Sequence, residues 1–282
     1  MQINIDCLPC FMKQVIDASR MATDDIELQK KIIKETAQLI SEYEKYKYAP
    51  SIGREMHKLV KKFTKNSDPY REIKDKNIKA SLTAYPALKE FLSNKKDKLY
   101  WALKVSALGN MIDSAIFKDI DIEGNLKKEI NIQFAICDIS MFKELIKKGK
   151  SLLIIGDNAG ETVFDRVFIE EVIDLDITYA VRSEPVINDA TIEDVYASGF
   201  DSRIKVISSG CSAPGTIIEE CSDEFLNVYK NADIVLSKGQ GNFETLSDVE
   251  REVFFLLKAK CPIVAERIGV NVGDCVLKSN KR

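Results

Sequence analysis

Residues 150–189 read KSLLIIGDNAGETVFDRVFIEEVIDLDITYAVRSEPVIND, and their pattern decides the fold. Two short apolar runs, SLLIIG and ITYAV, flank a helical segment near ETVFDRVFIEEV. A short apolar run, a helical period and a second apolar run are the sequence form of a βαβ unit, whose two strands lie parallel in one sheet. The alternation continues towards the C-terminus with a helical segment near ATIEDVYASG and the runs RIKVISS, DIVLSKG and VFFLLKAK, the last at 253–260. Just before the first strand, Asp138 is expected to cap a helix, SMFKELIKKG, that Gly149 ends.

Towards the N-terminus the period changes. Leu28, Ile32, Ile33 and Ile40, and then Ile52, Met56, Leu59, Val60 and Phe63, recur at three- and four-residue spacing, which predicts one amphipathic helix after another. Asp68 before Pro69 is expected to open another helix, and Pro86 to open or kink the next. Residues 115–135 are less regular. The fold class is therefore α/β, with a mainly helical domain at 1–112 packed on an α/β domain at 113–282 that has a largely parallel sheet.

Composition sets the outer bounds. With 282 residues, 45% hydrophobic and 30% charged, the chain has enough apolar material for a sizeable core. A net charge of -3, with acidic residues beside the lysine-rich stretches, argues against a nucleic-acid partner. The start, MQINIDCLPC, lacks a leader pattern, and no run approaches the roughly 18 apolar residues of a membrane span. A cytoplasmic protein without a membrane partner is expected. Seven cysteines, an odd number, suit reduced thiols better than a disulfide framework. The single histidine, His57 in GREMHKLVKKF, is expected at the surface or its boundary, and it rules out a histidine-rich zinc site.

In open α/β sheets ligands bind beyond the carboxyl ends of the strands, so the residues after each run carry the chemistry. SLLIIG is followed by Asp157-Asn158-Ala159-Gly160-Glu161, and ITYAV by Arg182-Ser183-Glu184-Pro185-Val186-Ile187-Asn188-Asp189. DIVLS is followed by Lys238-Gly239-Gln240-Gly241-Asn242-Phe243-Glu244. Asp157 and Asp189 are one βαβ unit apart and become neighbours if the two strands pair. Two carboxylates and an amide oxygen suit Mg²⁺ or Mn²⁺ and leave coordination positions for water and a substrate phosphate. The alternative is that the two aspartates cap the helices that follow. Lys238 and the glycine-rich turn could approach a phosphate, while Arg182 could equally be an ion-pair partner of Glu184 or Glu161. Neither GDNAGET nor KGQGNFE is a P-loop. Asp174-Leu175-Asp176-Ile177-Thr178 has the DxDxT form of haloacid-dehalogenase phosphatases, but it falls before a strand, on the wrong edge of the sheet.

Taken together, Cys7-x-x-Cys10, Gly109-Asn110-x-x-Asp113, Gly156-Asp157-Asn158-Ala159-Gly160-Glu161, Arg182-x-x-Pro185-x-x-Asn188-Asp189, Lys238-Gly239-x-Gly241-Asn242-Phe243-Glu244 and Lys258-Ala259-Lys260-Cys261 resemble the damage-control phosphatase family, once called domain of unknown function 89, in its CxxC-bearing branch of archaea and some bacteria. The resemblance spans nearly the whole chain. It implies a helical domain joined to a three-layer α/β/α Rossmann-like domain, and metal-dependent hydrolysis of phosphate esters of small metabolites. It places the metal, one of Mn²⁺, Mg²⁺, Co²⁺ or Ni²⁺, on Asp157, Asn158 and Asp189, and the substrate phosphate on Lys238. Asn110 and Asp113 are active-site residues in this reading, with Arg182, Asn188, Gly239, Gly241 and Asn242 around the substrate. Cys7, Cys10, Phe243, Glu244, Lys260 and Cys261 mark the branch without an assigned role.

The residues leave open whether an aspartate or a water attacks phosphorus, which metabolite is the substrate, and how many chains assemble. Two rival functions stand beside the phosphatase. An S-adenosylmethionine-dependent methyltransferase would bind that cofactor without metal, although GDNAGE is a poor substitute for its glycine-rich loop. A non-catalytic binder of phosphometabolites would hold ligand and release no inorganic phosphate.

Overall fold

The computed structural model describes residues 1–109 and 130–281, so Asn110, Asp113 and the proposed domain boundary at 112–113 lie outside the described residues. The first three helices, α1 (Cys7–Ala22), α2 (Ile26–Ser41) and α3 (Ala49–Thr64), are amphipathic. They bury Phe11, Val15, Ile32, Ile52, Met56 and Val60 in a core of their own. Asp25 starts α2 by accepting the Glu27 and Leu28 amide hydrogens. Helices α4 (Arg71–Ser93) and α5 (Lys98–Leu108) instead send Leu88, Leu92, Leu103 and Val105 into the core beneath the sheet.

The α/β part runs β1 (Ile136–Cys137), α6 (Ile139–Lys148), β2 (Ser151–Ile155), α7 (Thr162–Glu171), β3 (Asp176–Val181), α8 (Ile192–Ala197), β4 (Lys205–Ser208), α9 (Asp223–Asn231), β5 (Ile234–Lys238), α10 (Gln240–Leu246), β6 (Phe254–Lys258), α11 (Pro262–Ile268) and β7 (Cys275–Ser279). These strands form one sheet in the order β1-β7-β6-β5-β2-β3-β4. Strands β2 to β6 are mutually parallel, β7 is antiparallel to β6, and β1 is parallel to β7. Leu152 and Ile154 pack on one face and Leu153 and Ile155 on the other, as the two-residue period of a doubly covered strand requires. The result is the expected three-layer α/β/α arrangement with helices at its N-terminal side. From β2 the chain lays β3 and β4 to one side, then returns to lay β5 and β6 on the other. The β2–β5 pair is thus the point where strand order reverses, and a crevice opens there beyond the carboxyl ends.

A buried ion cluster fastens α4 to the first turn of α8. The Lys74 ammonium, fully buried, lies 2.7 Å from Asp68 and 3.1 Å from Asp194, and Arg71 lies 2.8 Å from the other oxygen of Asp194. Asp194 also accepts from the Thr191 amide and hydroxyl in the capping box that starts α8.

Four local expectations are corrected. Asp68 and Pro69 form the turn before α4, which starts at Arg71, and Asp68 accepts the Tyr70 amide hydrogen. Pro86 does not open a helix but lies inside α4; burial of Leu88 and Leu92 holds the last turns in place, and the carbonyl it deprives of a partner belongs to Leu82, on the exposed side. The Asp138 side chain does not cap α6 and accepts the Ser279 amide hydrogen at 2.9 Å, tying β7 to the sheet. His57 is buried at 3% exposure, edge-on to Tyr70, and its Nε2 has no hydrogen-bond partner. The periodicity of α3 admits position 57 to the buried face, and a neutral imidazole tolerates it.

Burial first, and then Lys61, lower the His57 pKa to about 4. The unfolded chain therefore takes up a proton near pH 6.5 that the folded chain refuses until about pH 4, so stability falls as pH drops through that window. The loss reaches about 3 kcal/mol at its lower end. Denaturant titrations of the wild type and of His57→Phe from pH 7 to 4 should show a steeper decline for the wild type; parallel declines would overturn this account.

Candidate active site

Asp157 and Asn158 leave the end of β2, and Asp189 closes the loop after β3. The two loops are stitched by an isolated antiparallel bridge between Asn158 and Asp189. The Ala159 amide donates to the Asn188 carbonyl at 2.8 Å and the Ala190 amide to the Asp157 carbonyl at 2.7 Å. Capping does not explain either aspartate. The residue before α7 is Glu161, without a side-chain cap bond, and α8 is capped by Thr191 with Asp194.

Two backbone positions show how tightly the loops are drawn together. Gly239, at the end of β5, has φ +80°, and a Cβ there would lie 2.1 Å from Asp157 Oδ2. Only glycine lets the β5 turn pass beneath that carboxylate. Ile187, a β-branched residue, is held at φ +46° two residues before Asp189. Such strain, of order 1–3 kcal/mol, persists where surrounding contacts over-determine the loop.

Behind the aspartates stands a buried polar lattice. Arg182 donates through Nε to Asp189 Oδ2 at 2.7 Å and lies 3.8 Å from Asp157 Oδ1. Its Nη1 donates to the Thr216 hydroxyl, which donates to Asn242 Oδ1. Asn242 in turn donates to the carbonyls of Gly156 and Lys238, locking the ends of β2 and β5 together. Lys238 donates to Asp165 at 2.5 Å, to Glu161 at 3.3 Å and to the Ser106 carbonyl of α5. Asp165 also accepts from Ser106 and Tyr179. Asn158 donates through Nδ2 to Glu161 and Asp157, which leaves its Oδ1 as the atom available to a cation.

The charges do not balance. Asp157, Glu161, Asp165 and Asp189 are all buried, yet among the described residues only Arg182 and Lys238 are buried with them as countercharges. Burial, and then proximity of Asp157, hold the Asp189 carboxyl well above its ordinary range despite Arg182. Burial likewise raises Glu161, against the pull of Lys238, with Asp157 and Asp165 adding to the rise. Among the described residues no three imidazole, thiol or carboxylate groups are arranged as a metal cage. A divalent cation here would rest on Asp157, Asp189 and the Asn158 amide oxygen, with its other positions open. The excess of buried negative charge and the hard oxygen donors fit that ion.

A cleft of about 530 Å³ opens over this edge between the site loops, α1 and the start of α3. Asp157, Asn158, Asn188 and Asp189 line it, as do Gly241, Glu244, Lys260, Cys7, Cys10 and Cys261. Arg182, Lys238 and Asn242 lie buried behind it, and Phe243 packs edge-on to Phe255 in the core. Arg182 pairs with the two aspartates, whereas Glu184 pairs with Lys61 and Glu161 with Lys238. Gly109 packs against Glu161, bringing the end of α5 to the same network. Sequence reasoning missed the roles of Asp165, Ser106 and Thr216. Glu161 and Asp165, four residues apart among Val163, Phe164, Val167 and Phe168, were the available signal: two acids on one side of an otherwise apolar helix start.

A reversal of strand order with a convergent acidic pair above it places this chain among open α/β folds, whose ligand crevices lie at such switch points. The chain belongs to the damage-control phosphatase ARMT1-like domain family, whose model matches residues 3–276. It is 37% identical to an uncharacterized protein of Methanocaldococcus jannaschii over 98% of this chain and 95% of that one. It is 34% identical to a damage-control phosphatase of Pyrococcus horikoshii, over 100% of this chain and 99% of that one. A damage-control phosphatase of Archaeoglobus fulgidus is 32% identical over 99% of each. The crystal structure of a DUF89 family protein from P. horikoshii superposes with a TM-score of 0.92, at 32% identity over 99% of both chains.

Replacing Lys238 by Met should leave Glu161 and Asp165 without their buried partner and cost about 3–5 kcal/mol. Gly239→Ala should destabilise by a smaller amount while displacing the Asp157 carboxylate. Thermal unfolding of both variants checks this; a Lys238→Met protein as stable as the wild type would remove the charge-balance argument.

Proposed function

We propose that this chain is a divalent-metal-dependent phosphatase that hydrolyses phosphate monoesters of small metabolites, phosphosugars or phosphorylated cofactor fragments, in metabolite damage control. Its metal, Mn²⁺, Mg²⁺, Co²⁺ or Ni²⁺, is held by Asp157, Asn158 and Asp189. The observation that carries this reading is the excess of buried carboxylate over buried cation at the β2–β5 switch point. The names of the P. horikoshii and A. fulgidus relatives support the phosphatase class.

When bound, the ion supplies charge neutralisation and Lewis acidity to the phosphoryl group. Arg182 fixes Asp189 in position, and Thr216 and Asn242 fix Arg182. Lys238 holds Glu161, which orients the Asn158 amide. Lys238 acts in this way through other residues, because its ammonium is spent on Asp165 and Glu161 and is 1% exposed. Lys260 is the exposed cation of the cleft lining, close enough to Asp189 and Glu161 to lower the pKa of both. It meets the substrate phosphate at the mouth. The walls from α1 and α3 enclose the organic part.

Inorganic phosphate release from a panel of phosphometabolites with Mn²⁺ tests the reading. Asp157→Asn and Asp189→Asn should each lower turnover by at least about 100-fold. Without substrate, Mn²⁺ at 100 times its Kd should stabilise the wild type by about 2.7 kcal/mol and leave Asp189→Asn nearly unmoved. Equal turnover by the folded variants would sink the proposal.

A further inference from the structure

Three thiols that the phosphatase reading does not use gather on one wall of the cleft. Cys7 and Cys10 stand on the first turns of α1, and Cys261 immediately precedes α11. All are free, Cys10 exposed and the other two half-buried, and all line the cleft beside Glu244. The Gln240 amide donates to Glu244 Oε1 at 3.0 Å and to Cys261 Sγ at 3.5 Å, binding that side of the cluster together. Burial, and then Cys261 and Glu244, raise the Cys10 thiol. Burial raises Cys7 too; a hydrogen bond with the Asn4 backbone opposes it, and Glu244, Cys261 and Cys10 add to it. The three sulfurs and the carboxylate therefore share one electrostatic neighbourhood.

Among the described residues no three of these groups form a metal cage. A bond between two of the thiols makes a smaller demand. Residues three apart on a helix have Cβ atoms about 5–6 Å apart. Their Cα atoms fall within the range of about 4.4–6.8 Å that a disulfide spans, and closure draws the Cβ atoms in to about 3.8 Å. Neighbours that disfavour thiolates also disfavour reductive opening of such a bond.

We infer that Cys7 and Cys10 form a reversible disulfide on the cleft wall by exchange with a low-molecular-weight disulfide, and that closure weakens substrate binding. The second half rests on the phosphatase reading; the first does not. The exposed Cys10, as its thiolate, attacks one sulfur of the small disulfide, giving a mixed disulfide and a leaving thiolate that takes up the proton Cys10 lost. Cys7, deprotonated in its turn, attacks the Cys10 sulfur and expels the second small thiolate, which takes up the Cys7 proton. Two cysteine thiols are oxidised and the small disulfide is reduced to two thiols, so no further electron acceptor is needed. Closure tightens the first turn of α1 and shifts Asp6 and Cys7, both part of the cleft wall.

The full-length protein is incubated with glutathione disulfide, the remaining thiols are alkylated, and peptides are mapped by mass spectrometry. The expected result is loss of two alkylation sites, Cys7 and Cys10, with a mass lower by two hydrogens and recovery in dithiothreitol. Cys261→Ser should retain this behaviour; Cys7→Ser should stop at the glutathionylated form. A Cys10–Cys261 link, a lasting mixed disulfide in the wild type, or protection of all three thiols by Zn²⁺ alone would each overturn the inference. In phosphate-release assays the oxidised form should show a raised KM with kcat little changed, and identical kinetics would overturn the second half. Absence of phosphate release from both forms would defeat the phosphatase reading while leaving the disulfide result intact.

Discussion

The arrangement depends on an unequal number of buried charges. Among the described residues four buried carboxylates and two buried cations meet at the carboxyl edge of β2, β3 and β5. The fold meets part of this cost through geometry. Arg182 serves both aspartates, Lys238 serves Glu161 and Asp165, and the hydroxyls of Ser106 and Tyr179 donate to Asp165. What is left over is a localised negative field at the floor of an open cleft. A bound cation would offset that field.

That lattice also explains why the strand ends are so close. Asn242 clamps the last carbonyls of β2 and β5. Gly239 then has to pass under the Asp157 carboxylate, with no room for a side chain. The strained Ile187 and the bridge between Asn158 and Asp189 fix the third loop against the other two. Rigidity at the floor is thus made from backbone constraints and neutral donors as much as from ion pairs.

The βαβ pattern at 150–189 was enough to place Asp157 and Asp189 in neighbouring loops, because sequential parallel strands usually pair and a two-residue period assigns their faces. The pairing of β2 with β5 was beyond that reading. It joins strands separated by two intervening units, and only the packed sheet reports it. Lys238 at a strand end looked like a group facing ligand, since its position carries no mark of the two acids that α7 turns towards it. His57 misled for a related reason: polarity predicts exposure, while a neutral ring on the packed side of α3 is compatible with burial. Asp138 lay beside a helix start and so suggested a cap, yet its partner, the Ser279 amide, is distant in sequence. The Lys238 and Asp138 misses are both contacts between residues far apart along the chain.

The two walls of the cleft belong to separately packed cores. Asp157, Asn158 and Asp189 sit on loops at the edge of the sheet, whereas Phe11 and the residues of α1 and α3 around it are supported by the cluster of α1, α2 and α3, which Ile187 of the Asp189 loop touches. Side chains on that roof can therefore change in size and polarity while the strands below keep their packing. Such a division would let the roof vary in shape with little effect on the sheet that carries the two aspartates.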